Sequence, residues 1–328
     1  MKAVVCSGSG GPEVLGLADI AAPEPGPHEL LIDVRATALN RADLLQRRGL
    51  YPPPPGVTAT LGLECSGVVA AIGPGASRFR VGARVMALLG GGGYAEQVVV
   101  HQDIAMPIPD RLSFEEAAAV PEAFLTASEA LLSEAELHAG QALLVTAAAS
   151  GVGSAAVQIG KLRGAFVIGS ASAEKLGAVS ALGADLALGR ERPDFVDAVR
   201  TATQERGVDA IVDFVGASAL ERHQRCLAQR GRLILVGLLG GAAAPLDLGL
   251  VLRLRQQLRG LVMRTRSTPE KIELVERFER ELWPALDAGR LSPKLDRIFP
   301  LAEVAAAHDW MEHNRNAGKI VLRVAAGA

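Results

Sequence analysis

The stretch TAAASGVGSAA, Thr146 to Ala156, decides how this chain reads. An apolar run, ALLVTA (Ala142 to Ala147), leads into it, and a helix-like segment from Val152 to Leu162 leads out. A strand that passes through a tight turn into a helix leaves the first N–H groups of that helix unpaired, and those groups attract anions. The spacing is that of G-x-G-x-x-G with two substitutions: Ala148 and Ser150 hold the first two glycine positions and Gly153 holds the third. A tight turn in any α/β protein also accommodates a glycine pair, so the surroundings must decide between the two readings.

Those surroundings favour a ligand. From Gln141 onward strand and helix alternate: ALLVTA then Val152 to Leu162, AFVIGS then Ala173 to Leu182, ADLALG then Asp194 to Thr203. VDAIVDFVG, a helix around Ala219 to Ala228, RLILVGLLG and a sixth strand in QLRGLVM follow. Apolar strands without in/out alternation imply a parallel sheet covered by helices on both faces, a doubly wound Rossmann arrangement with its ligand at the strand carboxyl ends. The helix opens on Gly151, Val152, Gly153, Ser154, Ala155 and Ala156, small enough to let it approach the sheet while its N–H groups face a pyrophosphate. The turn is therefore expected to bind a dinucleotide, with a hydroxyl from Ser150 added to the backbone donors.

Which dinucleotide depends on the end of the second strand, where an acidic residue would bind ribose hydroxyls and repel a 2'-phosphate. GSASAEKL stands there: Ser170 at about the acidic position, with Ser172 and Lys175 close behind, and Arg190 after the third strand. Two charge-assisted bonds of about 1.5 to 3 kcal/mol each would favour NADPH over NADH by on the order of 10²-fold. Against this stand Glu174, close enough to swing in, and the reading of Lys175 as an ordinary solvated helix charge.

Before Gln141 the style differs. HELLIDVRATAL, SGVVAAIG, GARVMAL and YAEQVVV are short Val/Ile/Leu-rich runs between glycine or proline turns, which predicts a mainly β region. Ser113 with Glu116 three residues later has capping-box spacing for a helix, and Pro121 opens or kinks a second. Near the C-terminus, TPEKIELVERFERELWPALDAG predicts an amphipathic helix closed by Gly289, and HDWMEHNRNAGKIVLRV a short helix and a last strand. Having no sheet of their own, these elements are expected to return to the first domain. The division is then 1–118 with 262–328 as a catalytic domain and 119–261 as the dinucleotide domain.

Composition narrows the function classes. The chain has 328 residues, 49% of them hydrophobic, a formal charge of −2 and only scattered cysteines at Cys6, Cys65 and Cys226. This describes a globular two-domain protein with no dedicated nucleic-acid face, no disulfide framework and no run of transmembrane length. The N-terminus lacks a signal-peptide core, so a cytoplasmic location is expected.

Several long motifs occur together: NRADLLQRRGLYPPPPG (Asn40 to Gly56), LGLECSGVV (Leu61 to Val69), VGARVMALLGGGGYAEQVVV (Val81 to Val100), AAAVPEAFLTA (Ala117 to Ala127) and ASGVGSAAVQIGKLRGA (Ala149 to Ala165). In this order they resemble the medium-chain dehydrogenase/reductase superfamily. Within it the likeness is to the zinc-free quinone oxidoreductases, most of all the p53-inducible quinone oxidoreductase type. It runs from Ala3 to Val324 and closes on MEHNRNAGKIVL (Met311 to Leu322). The resemblance implies a GroES-like catalytic domain beside the Rossmann domain, and a homodimer formed by edge pairing of the cofactor-domain sheets near RLILVGLL.

Zinc-dependent members of that superfamily use a cysteine where this chain has Asn40 and a histidine where it has Leu63. Neither residue suits zinc, the cysteine-rich structural loop is absent, and the six histidines show no ligand spacing, so no metal is expected. By resemblance Tyr51 bonds the substrate oxygen, Asn40 and Asp43 lie beside the nicotinamide, and Thr126 lies near the nicotinamide end of the cofactor. Val215 and Gly216 line the adenosine, Gly237 and Leu238 the nicotinamide, and Asn316 reaches the cofactor from the C-terminal segment. From the residues alone Tyr51 also reads as an aromatic packed on prolines, Asp43 as a helix cap and Thr126 as helix packing.

The expected activity is NADPH-dependent reduction of quinones or other activated carbonyls, small molecules that need little help from a metal. A 2-alkenal or enoyl-thioester reductase on the same fold, and a non-catalytic NADPH-binding protein, are the alternatives. Enone reduction would also need a proton donor for the α-carbon, and only Tyr51 or water offers itself.

Overall fold

The computed structural model of this protein describes residues 1–324. The N-terminal strands are β1 (Lys2–Cys6), β2 (Leu15–Asp19), β3 (Glu29–Ala38), β4 (Glu64–Ile72), β5 (Arg84–Leu88), β6 (Gln97–His101) and β7 (Ala105–Pro107), with helix α1 (Arg41–Arg47) between β3 and β4. In β3 the inward residues Leu30, Ile32, Val34 and Ala36 alternate with less buried ones, the period of a sheet covered on one face. Helix α2 (Phe114–Ala118) starts at Ser113, whose hydroxyl accepts from Glu116 N while the Glu116 carboxylate accepts from Ser113 N. This is the capping box the sequence predicts, and α3 (Pro121–Ser128) opens on its proline.

The next strands are β8 (Ala142–Val145), β9 (Phe166–Ala171), β10 (Leu186–Gly189), β11 (Val208–Asp213), β12 (Leu227–Leu235) and β13 (Gln257–Gly260). They form one six-stranded sheet of order β10-β9-β8-β11-β12-β13, parallel at every pairing. The order reverses at β8, and in open α/β sheets the carboxyl end at such a reversal is the usual position for a ligand. The intervening helices are α4 (Gly151–Leu162), α5 (Leu176–Ala181), α6 (Phe195–Ala202), α7 (Leu220–Cys226) and α8 (Leu248–Leu254). Leu144, Ile168, Leu188 and Ile211 from the strands pack with Phe195 and Val199 of α6 in one buried cluster. Residues 232–235 of RLILVGLL lie in β12, between β11 and β13, so the sheet edge is one strand further out, at β13.

The chain then returns through α9 (Thr268–Glu281), α10 (Trp283–Asp287), β14 (Leu295–Pro300), α11 (Val304–Glu312) and β15 (Lys319–Arg323). The expected single helix to Gly289 is two: Pro284 has no N–H to continue α9, so the helix breaks at Leu282 before α10 closes on Gly289 at φ +74°. β15 pairs antiparallel with Ala36–Ala38 of β3, while β6 pairs with Glu29–Asp33 of the same strand. The resulting sheet has the order β14-β15-β3-β4-β5-β7. Contacts divide the chain into Met1–Leu125 with Arg264–Ala328, and Thr126–Met263. A mainly β, GroES-like unit discontinuous in sequence and a Rossmann unit are the architecture.

Candidate active site and cofactor site

In the β unit the centre is a buried ammonium. Lys319 Nζ, at the start of β15, donates to Leu39 O at 2.9 Å, Asn40 Oδ1 at 2.7 Å and Glu64 Oε1 at 2.5 Å. The Asn40 amide nitrogen donates to Glu64 Oε1 at 2.8 Å, and Glu64 Oε2 accepts from Glu122 N at 2.9 Å. Glu64 is fully buried and Lys319 only 4% exposed, so each charge depends on the other for solvation. Asn40, expected as a donor to substrate or water, has both ends of its amide engaged here.

Asp43 takes the helix-cap role. Its Oδ2 accepts from Asn40 N at 2.8 Å and its Oδ1 from Gly62 N at 3.2 Å. Gly62 has φ +102°, and a Cβ on it would sit 2.5 Å from Tyr94 N, so only glycine fits beneath this carboxylate. The Tyr94 hydroxyl donates to Asp43 Oδ2 at 3.2 Å and lies 3.3 Å from His308 Nε2, while Arg47 Nη1 lies 3.4 Å from His308 Nδ1. Arginine can only donate, so Nδ1 accepts and the Nε2 proton points to Tyr94. Burial and the neighbouring Arg47 hold His308 down at about 3, so it remains neutral. Burial raises Asp43 to about 6 despite the hydrogen bonds and the Lys319 charge that favour its ionised form. Neither Tyr94 nor His308 carries a sequence signal; the network exists because α11 folds back onto α1.

Tyr51 is half-buried, and its ring faces a guanidinium, Arg264 Cζ lying 5.2 Å from the ring centroid. Burial pushes its phenol above the usual range, the Arg264 charge opposes that shift and Glu122 adds to it. Glu122, in the first turn of α3, is raised to about 8 by burial and by Glu64, against the pull of Lys319 and Lys271. Arg264 and Glu122 are functional candidates that sequence reasoning missed, because each depends on neighbours from distant segments.

In the Rossmann unit the glycine turn has the expected form. Ser150 caps α4, its hydroxyl accepting from Gly153 N at 3.0 Å. A Cβ at Gly153 would approach Ala147 O to 2.3 Å, which explains why this glycine survives while Ala148 and Ser150 replace the other two. Gly151 and Val152 form the first turn of α4. At the end of β11, the buried Asp213 accepts from Val215 N at 2.8 Å and lies 3.1 Å from His223 Nδ1, fixing the loop beside Gly216. Gly237 N donates to Asp213 O at 3.2 Å, and Leu238 is exposed. Thr126 is buried, and among the described residues its Oγ1 has no hydrogen-bond partner. The opening turn of α4, with its N–H groups at the helix N-terminus, and the orphaned buried hydroxyl of Thr126 fit a bound dinucleotide.

The discriminating strand end is mixed. Ser170 is buried inside β9, so the first accessible hydroxyl belongs to Ser172, which donates to Glu174 Oε1 at 2.5 Å. That bond holds Glu174 below the usual carboxylate range, with smaller help from Lys175 and Arg190. Arg190 itself pairs with Glu191 at 2.9 Å. Asn316 lies in the β unit, where its amide donates to Gly318 O at 2.9 Å and shapes the turn before β15.

Comparisons with known proteins accord with this geometry. Residues 26–110 match the family profile of the alcohol dehydrogenase GroES-like domain, and residues 182–322 that of the zinc-binding dehydrogenases. The chain is 34% identical to a quinone oxidoreductase of Pseudomonas aeruginosa, over 98% of this chain and 99% of that one. Among solved structures, an NAD-dependent alcohol dehydrogenase superposes with a TM-score of 0.87 at 35% identity, covering 99% and 100% of the two chains. The CurK enoyl reductase gives a TM-score of 0.88 at 26% identity, covering 99% of each. The chain belongs to the quinone oxidoreductase family of the medium-chain dehydrogenase/reductase superfamily, and it is an oxidoreductase.

The zinc that one profile's description implies does not fit these residues. Among the described residues no three His, Cys, Asp or Glu side chains converge on a common point. Asn40 and Glu64 are already bound to the Lys319 ammonium.

Two outcomes follow. Lys319→Met should destabilise the fold by about 3 to 5 kcal/mol in urea titration, because it strands the Glu64 carboxylate, and adding Glu64→Gln should recover part of the loss. Glu122 has its folded pKa raised from the usual 4.5 to about 8. Between those values the folded chain holds a proton the unfolded chain has released, so its contribution to stability falls as pH rises through that window. The melting temperature of Glu122→Gln relative to the parent should therefore rise from pH 5 to pH 9; a constant difference would contradict the raised pKa.

Proposed function

We propose that this protein is an NADPH-dependent quinone reductase that works without zinc. The observation that carries the reading is the ammonium of Lys319 bound to Asn40 and Glu64, which commits these groups to an internal ion network instead of a metal. A hydride acceptor handled without a Lewis acid must be electron-poor by itself. Quinones meet that condition, because reduction makes them aromatic.

When bound, the nicotinamide supplies the hydride. The N–H groups of Gly151 and Val152 with the Ser150 hydroxyl would hold the pyrophosphate at the α4 N-terminus, and the orphaned Thr126 hydroxyl would orient the nicotinamide end. Val215, Gly237 and Leu238 would line the cofactor at the ends of β11 and β12. Lys175 and Arg190 already act electrostatically on Glu174, so a 2'-phosphate that takes the Ser172 hydroxyl from Glu174 would meet both cations. Ser170 would support this strand end from within β9.

Tyr51 would donate its O–H to the acceptor oxygen. Its raised pKa keeps it protonated at neutral pH, in the form that can donate. Each quinone takes up one hydride and one proton, and the second comes ultimately from water. Asp43 and Asn40 serve by fixing the start of α1, which precedes the Tyr51 loop. No helix among the described residues is long and apolar enough to cross a membrane, and we place the protein in the cytoplasm. Among the described residues no strand pairs with the outer edge of β13, and we assign that edge to the homodimer contact.

Initial rates with NADPH and NADH on a panel of ortho- and para-quinones, before and after chelation, test this reading. Turnover should favour NADPH and resist chelator. Lys175→Glu should lower kcat/KM for NADPH by about tenfold or more and leave NADH nearly unchanged. Equal use of both cofactors would overturn the 2'-phosphate assignment, and loss of activity on chelation would overturn zinc independence. Turnover of enones with none of quinones would move the substrate to the enoyl class.

A further inference from the structure

Arg264 is 5% exposed, and its guanidinium reaches three separate segments. Nε donates to Gly90 O at 2.9 Å, Nη1 to Tyr51 O at 3.2 Å and Nη2 to Gln46 Oε1 at 2.7 Å. Gln46 in turn donates to Ala59 O at 2.9 Å, so both ends of the proline loop are tied to the same cation. The Lys271 ammonium holds the Arg264 carbonyl at 3.2 Å.

A buried arginine ordinarily has a carboxylate partner, because desolvating the charge is costly. Among the described residues no carboxylate pairs with Arg264. Asp43 and Glu122 act on it only at a distance, and burial draws it below the usual arginine range. Three neutral acceptors and the face of one phenol are its immediate surroundings. Structural anchoring of the loop needs donors but no full charge, so the unpaired charge calls for another explanation.

We propose that Arg264 is the positioning residue for Tyr51: it locks the loop backbone at Tyr51 and presents a fixed positive charge to the phenol, so that the hydroxyl meets negative charge developing on the acceptor oxygen. The inference rests on the reading of Tyr51 as the group that bonds the substrate. The groups that act on the phenol are Arg264, which favours its ionised form, and Glu122, which opposes it. Arg264 stabilises the acceptor oxygen through the Tyr51 O–H, and no bond to Arg264 itself forms or breaks.

The chain has two tyrosines, and Tyr94 is fully buried against Asp43 and pushed well above the usual phenol range. Ultraviolet titration near 295 nm therefore reports Tyr51. In Arg264→Gln the Tyr51 midpoint should rise by about half to one pH unit, the effect of losing a unit charge 5.2 Å from the ring centroid. With a quinone substrate, kcat should fall about tenfold or more in both Arg264→Gln and Tyr51→Phe. The double variant should be no slower than the worse single one.

An unshifted Tyr51 titration together with additive kinetic losses would overturn the proposal. If Tyr51→Phe turns over normally while the titration still shifts in Arg264→Gln, the substrate role of Tyr51 fails and the electrostatic coupling stands. Should Arg264→Gln not fold, Arg264→Lys decides. It keeps the charge and loses the three-way fork, so the titration should stay within a few tenths of a unit while kcat drops. Parent-like kcat in Arg264→Lys would refute positioning.

Discussion

The β unit is organised around one ion network, the Lys319 ammonium held by Glu64, the Asn40 side chain and the Leu39 carbonyl. Its members come from β4, from the residues leading into α1 and from the last strand of the chain. A carboxylate with no exposure cannot be left without a counter-charge, so β15 must return to this place before the N-terminal strands are satisfied. The return puts β15 beside β3 and makes a unit discontinuous in sequence from strands separated by the whole Rossmann domain.

A second network leans on the first. Asn40 bonds Lys319 and Glu64 through its side chain and Asp43 through its backbone. Asp43 carries the chain onward through Tyr94 and His308 to Arg47, and Arg47 bonds Glu312 at 2.6 Å. The polar side chains of Asn40, Asp43, Tyr94, His308 and Arg47 all have partners within this network, which is the condition under which such a network rigidifies a site. The rigid start of α1 leads to Gln46 and the Tyr51 loop, where Arg264 closes the arrangement from the first residue of the returning segment.

Much of the fold was legible. The strand-helix alternation from Gln141, the capping box at Ser113 and the return of the last strand all follow from local pattern, because parallel strands buried on both faces and capped helices leave strong signals. β14 was not legible: in LDRIFP only Phe299 is buried, so it lacks the apolar run of an interior strand. Of the site, Gly153, Ser150 and Tyr51 were visible, being tied to a turn or to a motif. Ser170 stands where the acid would, yet it is buried inside β9, and the more accessible hydroxyl at this strand end is that of Ser172, bonded to Glu174. Arg264, Glu122, Tyr94 and His308 were invisible, since their meaning lies in partners up to 261 residues away.

By itself the sequence determined the class of fold, the glycine turn, and the presence of Asn40 and Leu63, residue types that do not suit zinc. These are statements about residue type and spacing, which short-range sterics and hydrogen bonding enforce. Only the tertiary structure decided what Asn40 binds and which charges surround Tyr51. The pairing of Lys319 with Glu64 and of Arg264 with the Tyr51 loop depends on segments that meet after folding, and on burial that raises the cost of every unpaired charge.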